Sequence, residues 1–168
     1  MNTYEIRKVI VQETPTIIEL LKEVASWLHK KDINQWGFLL EGGEDEEIRQ
    51  AIIDNATYVA CRDDEIIATY TLYSQQSEWD RHVWGQEENP EVLYLHRLAV
   101  RPQHMKDRIG KNILSWIDEN LSKTIRLDCV AHNPKLCTYY KENGFSLIGT
   151  TVDGHCKFQK VHGEGNGN

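Results

Sequence analysis

One segment constrains the fold more than any other: Leu98-Ala99-Val100-Arg101-Pro102-Gln103-His104-Met105-Lys106-Asp107-Arg108-Ile109-Gly110-Lys111. Leu93, Leu95, Leu98 and Val100 give Val92–Val100 the apolar pattern of a strand. Arg101-Pro102 turns the chain, and Ile109, Ile113, Trp116, Ile117 and Leu121 then fall on one face of a helix. A strand that feeds a helix N-terminus through a short loop offers an anion unpaired backbone N–H groups and the positive end of a helix dipole. Arg101, Lys106, Arg108 and Lys111 concentrate cationic charge at this point of a chain whose net charge is −7. The expected ligand is a phosphate or pyrophosphate. It is held by neither of two common motifs. A P-loop needs Gly five residues before Gly-Lys and Ser/Thr after it, where this chain has Met105 and Asn112. The dinucleotide fingerprint G-x-G-x-x-G is absent as well.

The rest of the chain surrounds this unit with alternating elements. Tyr4–Val11 reads as a strand, and Thr14-Pro15 as an N-cap with proline at the first helical position. Ile17, Leu21, Val24 and Leu28 form one apolar stripe on the helix that follows, and a shorter helix is expected over Glu46–Asn55. Thr57–Arg62 and Glu65–Ser74 flank Asp63-Asp64 as a hairpin. Residues 75–91 are polar and read as a loop. Thr124–Val130 is a further strand; Asn133-Pro134 opens a last helix, which Gly144 closes as a left-handed C-cap. Ser146–Val152 and His155–Lys160 form a hairpin around Asp153-Gly154. The order β-α-α-β-β-β-α-β-α-β-β predicts a mixed α/β domain over residues 1–161, with a Gly/Asn-rich tail at 162–168.

Composition excludes several function classes. An acidic chain lacks the basic face that nucleic acid requires. The acidic runs Glu41–Glu47 and Glu87–Glu91 read either as solvated surface, the preferred reading, or as a field that draws in a cationic substrate. No apolar run reaches the roughly 20 residues that span a bilayer, and Met1–Val11 lacks a signal-peptide core, so the expected address is cytoplasmic, with no membrane partner. Cys61, Cys129, Cys137 and Cys156 show neither C-x-x-C pairing nor Cys/His ligand spacing, so reduced thiols and no metal are expected.

A second motif lies downstream: Asn133-Pro134-Lys135-Leu136-Cys137-Thr138-Tyr139-Tyr140-Lys141-Glu142-Asn143-Gly144-Phe145. With Leu-Ala-Val-Arg-Pro before the basic loop, the chain resembles the Gcn5-related N-acetyltransferase (GNAT) superfamily along nearly its whole length. In that family the loop reads Gln/Arg-x-x-Gly-x-Gly/Ala and binds the coenzyme A pyrophosphate through backbone N–H groups. Gly110 fills the last position, while Met105 and Arg108 replace the usual Gln/Arg and the first Gly. Met105 still supplies an N–H. A positive φ at Arg108 would cost on the order of 1–2 kcal/mol, which pairing with a phosphate would offset; Asp107 opposes an anion. The second motif has the family's Asn, its Tyr seven residues later and its Gly-Phe at the expected spacings.

The resemblance implies a mostly antiparallel sheet of six to seven strands flanked by about four helices, with a splayed central strand pair. It also implies direct acetyl transfer from acetyl-CoA to a small amine or a protein amino group. Leu98, Ala99, Val100, Met105, Lys106, Asp107, Arg108, Ile109, Gly110, Lys111, Asn133 and Tyr140 are the implied cofactor contacts. Tyr140 is the implied general acid for the leaving thiolate. For the base, His96 suits proton abstraction near neutrality, and Glu91 at the strand's start is the other candidate; Arg97 should face away by strand parity. His29, Gln35, Trp36, Trp79 and Trp84 are candidates to line the acceptor site. The alternative is a CoA-binding module of the same fold without turnover, for which the departures at Met105 and Arg108 leave room. The acceptor is not specified, and a homodimer is compatible with the sequence.

Overall fold

The computed structural model describes residues 4–31 and 45–162. Gln35, Trp36, the first part of the Glu41–Glu47 run and residues 163–168 of the expected tail lie outside the described residues. The strands are β1 (Glu5–Lys8), β2 (Thr57–Arg62), β3 (Glu65–Tyr73), β4 (Val92–Val100), β5 (Thr124–Val130), β6 (Ser146–Thr150) and β7 (His155–Lys160). The described helices are α1 (Thr14–Lys30), α2 (Asp45–Ile53), α3 (Glu78–Trp84), α4 (Ile109–Leu121) and α5 (Pro134–Glu142). The seven strands take the order β1-β2-β3-β4-β5-β7-β6. β1–β2, β2–β3, β5–β7 and β6–β7 pair antiparallel and β4–β5 pairs parallel, which matches the expected mostly antiparallel sheet. Among the described residues no helix is long and apolar enough to cross a membrane.

The contacts group the chain into two compact units. The first comprises the residues up to Leu72 together with Arg97–Gly110. Its core is built by the apolar stripe of α1, where Ile17, Leu20, Leu21, Val24 and Ala25 are buried, against Ile48 and Ile52 of α2, Val59, Ile66 and Ala99. The start of α1 departs from expectation. Thr14 is its first residue rather than its cap, and its hydroxyl donates to the Val11 carbonyl at 2.7 Å. Glu13 precedes it, and its carboxylate receives two bonds from Arg7 at 2.9 and 2.7 Å and one from the Ile10 N–H at 3.1 Å. That guanidinium holds the Glu13 carboxyl below its ordinary pKa.

The second unit comprises Tyr73–His96 and the chain from Lys111 onward. Here β5 alternates: Ile125, Leu127 and Cys129 are buried on one face, and Arg126, Asp128 and Val130 take the other. β5 runs parallel to β4 with Val92↔Thr124, Leu93↔Ile125 and Tyr94↔Arg126, and the ladder stops there although β5 continues to Val130. This is the short ladder of a splayed pair. Residues 75–91, expected as a loop, contain α3. Ser77 and Asp80 form its capping box: the Ser77 Oγ accepts from the Asp80 N–H at 3.2 Å, and Asp80 Oδ2 accepts from the Ser77 N–H at 3.0 Å.

Candidate functional site

In the first unit, β4 delivers Leu98, buried Ala99 and Val100 to the basic loop. Pro102–Asp107 forms a 3-10 turn, Arg108 follows at φ 59°, ψ 27°, and α4 begins at Ile109. A non-glycine residue thus occupies the left-handed region at the position where the resemblance implies glycine. The Met105 side chain packs against the core that contains Ala99 and Ile66, so it anchors the turn by apolar contact. Lys106, Arg108 and Lys111 are exposed, and Gly110 is half-buried.

Arg101 is not part of this cationic group. Its Nη1 donates to Glu23 at 2.8 Å and its Nε to the Ile66 carbonyl at 2.7 Å, while its N–H reaches the Ile67 carbonyl at 2.9 Å. Asp107, which would repel an anion, has the Arg62 guanidinium beside it, with Nη1 3.5 Å from its Oδ2, and His104 Nδ1 lies 3.4 Å from the same oxygen. Exposed cations, a compensated Asp107 and a helix N-terminus suit a pyrophosphate.

In the second unit, Asn133 caps α5, its Oδ1 accepting from the Leu136 N–H at 3.2 Å, and Pro134 supplies the pre-set φ of the first turn. Tyr140 is buried among Tyr139, Phe145 and Phe158, with ring centroids 5.5, 5.7 and 5.9 Å away. Burial, reinforced by Cys129, Tyr139 and Asp128, drives its phenol pKa far above the ordinary value, so it holds its proton. Burial also pushes the Tyr139 phenol up to about 12. Gly144 ends the helix at φ 89°, as expected of a left-handed cap. Cys129 and Cys137 Sγ lie 3.7 Å apart beside Cys156, and all four cysteines are free thiols. Among the described residues no group of three or more His, Cys, Asp or Glu is arranged to hold a metal.

His96 and Glu91 part company. Glu91 is exposed at the start of β4, and five residues of strand put it about 16 Å from His96. The two are not brought together. His96 Nε2 is enclosed and lies 2.9 Å from Oδ1 of Asp80, a carboxylate only 1% exposed, and the ring meets Tyr73 edge-on at 5.5 Å. Arg97 next to it has φ 52°, a left-handed residue within the strand. Asp128 lies near His96: burial raises its carboxyl pKa, opposed by two bonds from Trp79 Nε1 at 3.0 and 3.1 Å and by the charges of His96 and His155.

The described acceptor-site candidates fall in both units. His29 is exposed at the end of α1 in the first unit. Trp79 bonds Asp128, and Trp84 has the Arg126 guanidinium 4.7 Å and the Lys157 ammonium 5.4 Å from its ring. Glu87 pairs with Arg126 at 2.5 Å. Asp80 and Asp128 escape sequence reasoning because their partners are 16 and 49 residues away. The one local signal is Ser77-x-x-Asp80, a capping-box pattern.

Comparison with known proteins supplies a family. Residues 20–145 match the model of the Acetyltransferase (GNAT) family. The N-acetyltransferase YesJ of Bacillus subtilis (strain 168) is 34% identical over 155 residues, covering 90% of this chain and 86% of that protein. An S-(2-succino)cysteine N-acetyltransferase from the same organism is 31% identical, over 58% of this chain and 59% of its own. In fold, the chain resembles the PaiA N-acetyltransferase of Thermoplasma acidophilum, solved with coenzyme A, at a TM-score of 0.74 and 20% identity over 95% of this chain and 99% of that one.

Proposed function

The chain belongs to the GNAT family of acetyltransferases and is an N-acetyltransferase, and from that premise we propose that it moves the acetyl group of acetyl-CoA directly onto a primary amine. The observation that carries the cofactor half is the loop: a left-handed Arg108 set immediately before a helix N-terminus, beside exposed Lys106 and Lys111. The N–H groups from Met105 to Lys111 (Met105, Lys106, Asp107, Arg108, Ile109, Gly110 and Lys111) hold the pyrophosphate, with Lys106, Arg108 and Lys111 adding charge. Leu98, Ala99 and Val100 offer backbone groups to the pantetheine arm, which Asn133 contacts while capping α5.

Acetyl-CoA supplies an electrophilic thioester carbonyl and a thiolate leaving group. The chain supplies the proton handling. His96 takes a proton from the acceptor amine, whose lone pair is then free to attack. Tyr140 donates to the sulfur as charge develops there. Its buried phenol is a reluctant acid but a permanently protonated one, so its main contribution is a hydrogen bond to the forming thiolate. Glu91, exposed at the far end of β4, takes no role. The acceptor is a small amine or a protein amino group. The relative that acetylates S-(2-succino)cysteine supports including amino-acid amines among the candidates.

The test has two arms. Acetyl-CoA at 100 times its Kd should stabilise the protein by about 2.7 kcal/mol, and no thermal shift at millimolar cofactor would remove the cofactor claim. Turnover is then screened across polyamines, amino acids, aminoglycosides and peptides. With the best acceptor, Tyr140→Phe should lower kcat by about 10²-fold or more and leave acetyl-CoA binding nearly intact; unchanged kcat would take the acid role from Tyr140.

A further inference from the structure

The start of α3 does more than begin a helix. Asp80 is 1% exposed, and the capping box fixes both its backbone and its carboxylate: Oδ2 accepts from the Ser77 N–H at 3.0 Å, and the Asp80 N–H donates to Ser77 Oγ at 3.2 Å. The remaining oxygen, Oδ1, faces His96 Nε2 at 2.9 Å, and that nitrogen is enclosed. We infer that Asp80 is the positioning residue of the transfer reaction, holding His96 with its proton on Nε2 so that Nδ1 is the nitrogen that takes the proton of the acceptor amine. The inference rests on the assignment of His96 as base.

A carboxylate only accepts, so the imidazole nitrogen that faces it is the one that carries hydrogen. A buried carboxylate oxygen without a donor is costly, which favours the Nε2–H tautomer over its alternative. The 2.9 Å contact is oblique, and catalytic hydrogen bonds tighten as substrate aligns them. Tyr73 on β3 restrains the ring from a second side. When the amine N–H bond breaks, its electron pair stays on nitrogen and the proton forms Nδ1–H. The imidazolium so created stands against the Asp80 carboxylate and returns its proton to solvent. Asp128 on β5 and His155 on β7 are the other ionisable groups close to this cluster.

Asp80→Asn tests the inference, because asparagine keeps an oxygen for the Ser77 N–H and turns a donor toward His96. That change favours the wrong tautomer, Nδ1–H. In a Ser-His-Asp triad the same exchange costs about 10⁴ in kcat. Here kcat should fall at least about tenfold, with KM for acetyl-CoA within about twofold of the parent. Ser77→Ala, which removes the Oγ acceptor but keeps the N–H that holds Oδ2, should lower the melting temperature and reduce kcat less than Asp80→Asn does. Nitrogen-15 spectra of the His96 ring in the unmutated protein should report a protonated Nε2 and a bare Nδ1. An Nδ1–H tautomer there would overturn the inference even if Asp80→Asn failed to fold. If His96→Gln abolishes turnover but Asp80→Asn does not, Asp80 is a helix cap only and the base assignment stands. If His96→Gln retains turnover, the base assignment falls and the role of Asp80 falls with it.

Discussion

Replacing Arg108 by alanine and, separately, by glycine separates the backbone strain at the head of α4 from the charge that the side chain carries. Both variants lose the guanidinium. They differ in the cost of holding φ 59°, ψ 27°, which is on the order of 1–2 kcal/mol for an L-residue with a Cβ and close to zero for glycine. Glycine gives back about 0.5–1 kcal/mol in extra chain entropy lost on folding. Arg108→Gly should therefore be the more stable of the two by about 0.5–1 kcal/mol. For a chain of this length that is a melting-temperature difference of about 1–4 °C, resolvable by calorimetry in the absence of cofactor. Acetyl-CoA affinity sorts the variants differently. If Arg108 pairs with the pyrophosphate, both bind more weakly than the parent by a similar factor, and the gap narrows as salt is raised. An alanine variant as stable as the glycine variant would mean that the loop does not hold a left-handed residue at 108, and the account of the departure from the family pattern would be wrong.

Gly144 offers a second test of the same backbone physics: at φ 89°, and with an added Cβ 3.1 Å from Lys160 Cε, Gly144→Ala should cost about 1–2 kcal/mol, measured by urea unfolding. Alkali should destabilise the fold, because burial raises the Tyr70 and Tyr140 pKa values well above the roughly 10 of an unfolded tyrosine. Above pH 10 the unfolded chain releases protons that the native state keeps, so their contribution is undisturbed below pH 10 and falls by up to about 3 kcal/mol per pH unit beyond it. The Tyr70 hydroxyl is enclosed and has no hydrogen-bond partner among the described residues, so Tyr70→Phe should leave stability at pH 7 nearly unchanged and flatten the alkaline slope; an unaltered slope would contradict this.

Those outcomes bear on how far residue order alone determines the site. The loop was legible because strand period, turn and helix period succeed one another without interruption from Val92 to Leu121. Gly144 was legible for the same local reason, a helix that must stop. What sequence reading missed depends on contacts between distant residues. Arg101 sits among loop cations, yet Glu23, 78 residues earlier, removes it from them. The apolar spacing along β4 slips by one residue between Leu95 and Leu98, the local trace of the left-handed Arg97, but a slip alone does not say which residue carries it. The capping pattern at Ser77 and Asp80 was local but lay in a polar stretch whose few apolar residues give no helical stripe, so α3 passed for loop. Once α3 forms, Asp80 reaches His96 and Trp79 reaches Asp128, and both pairings follow from the fold alone.

The depth at which Tyr140 is buried has a consequence for the conditions under which the enzyme works. A donor exposed to solvent empties as the medium turns alkaline, and the rate falls with it. A phenol enclosed by Tyr139, Phe145 and Phe158 stays loaded across the whole range a cell tolerates. If Tyr140 holds the donor role proposed for it, the rate would respond to moderate alkalinity only through the groups that must shed a proton, rising to a plateau rather than passing through an optimum. The limit on the alkaline side would then be set by the stability of the fold and not by the loss of the acid.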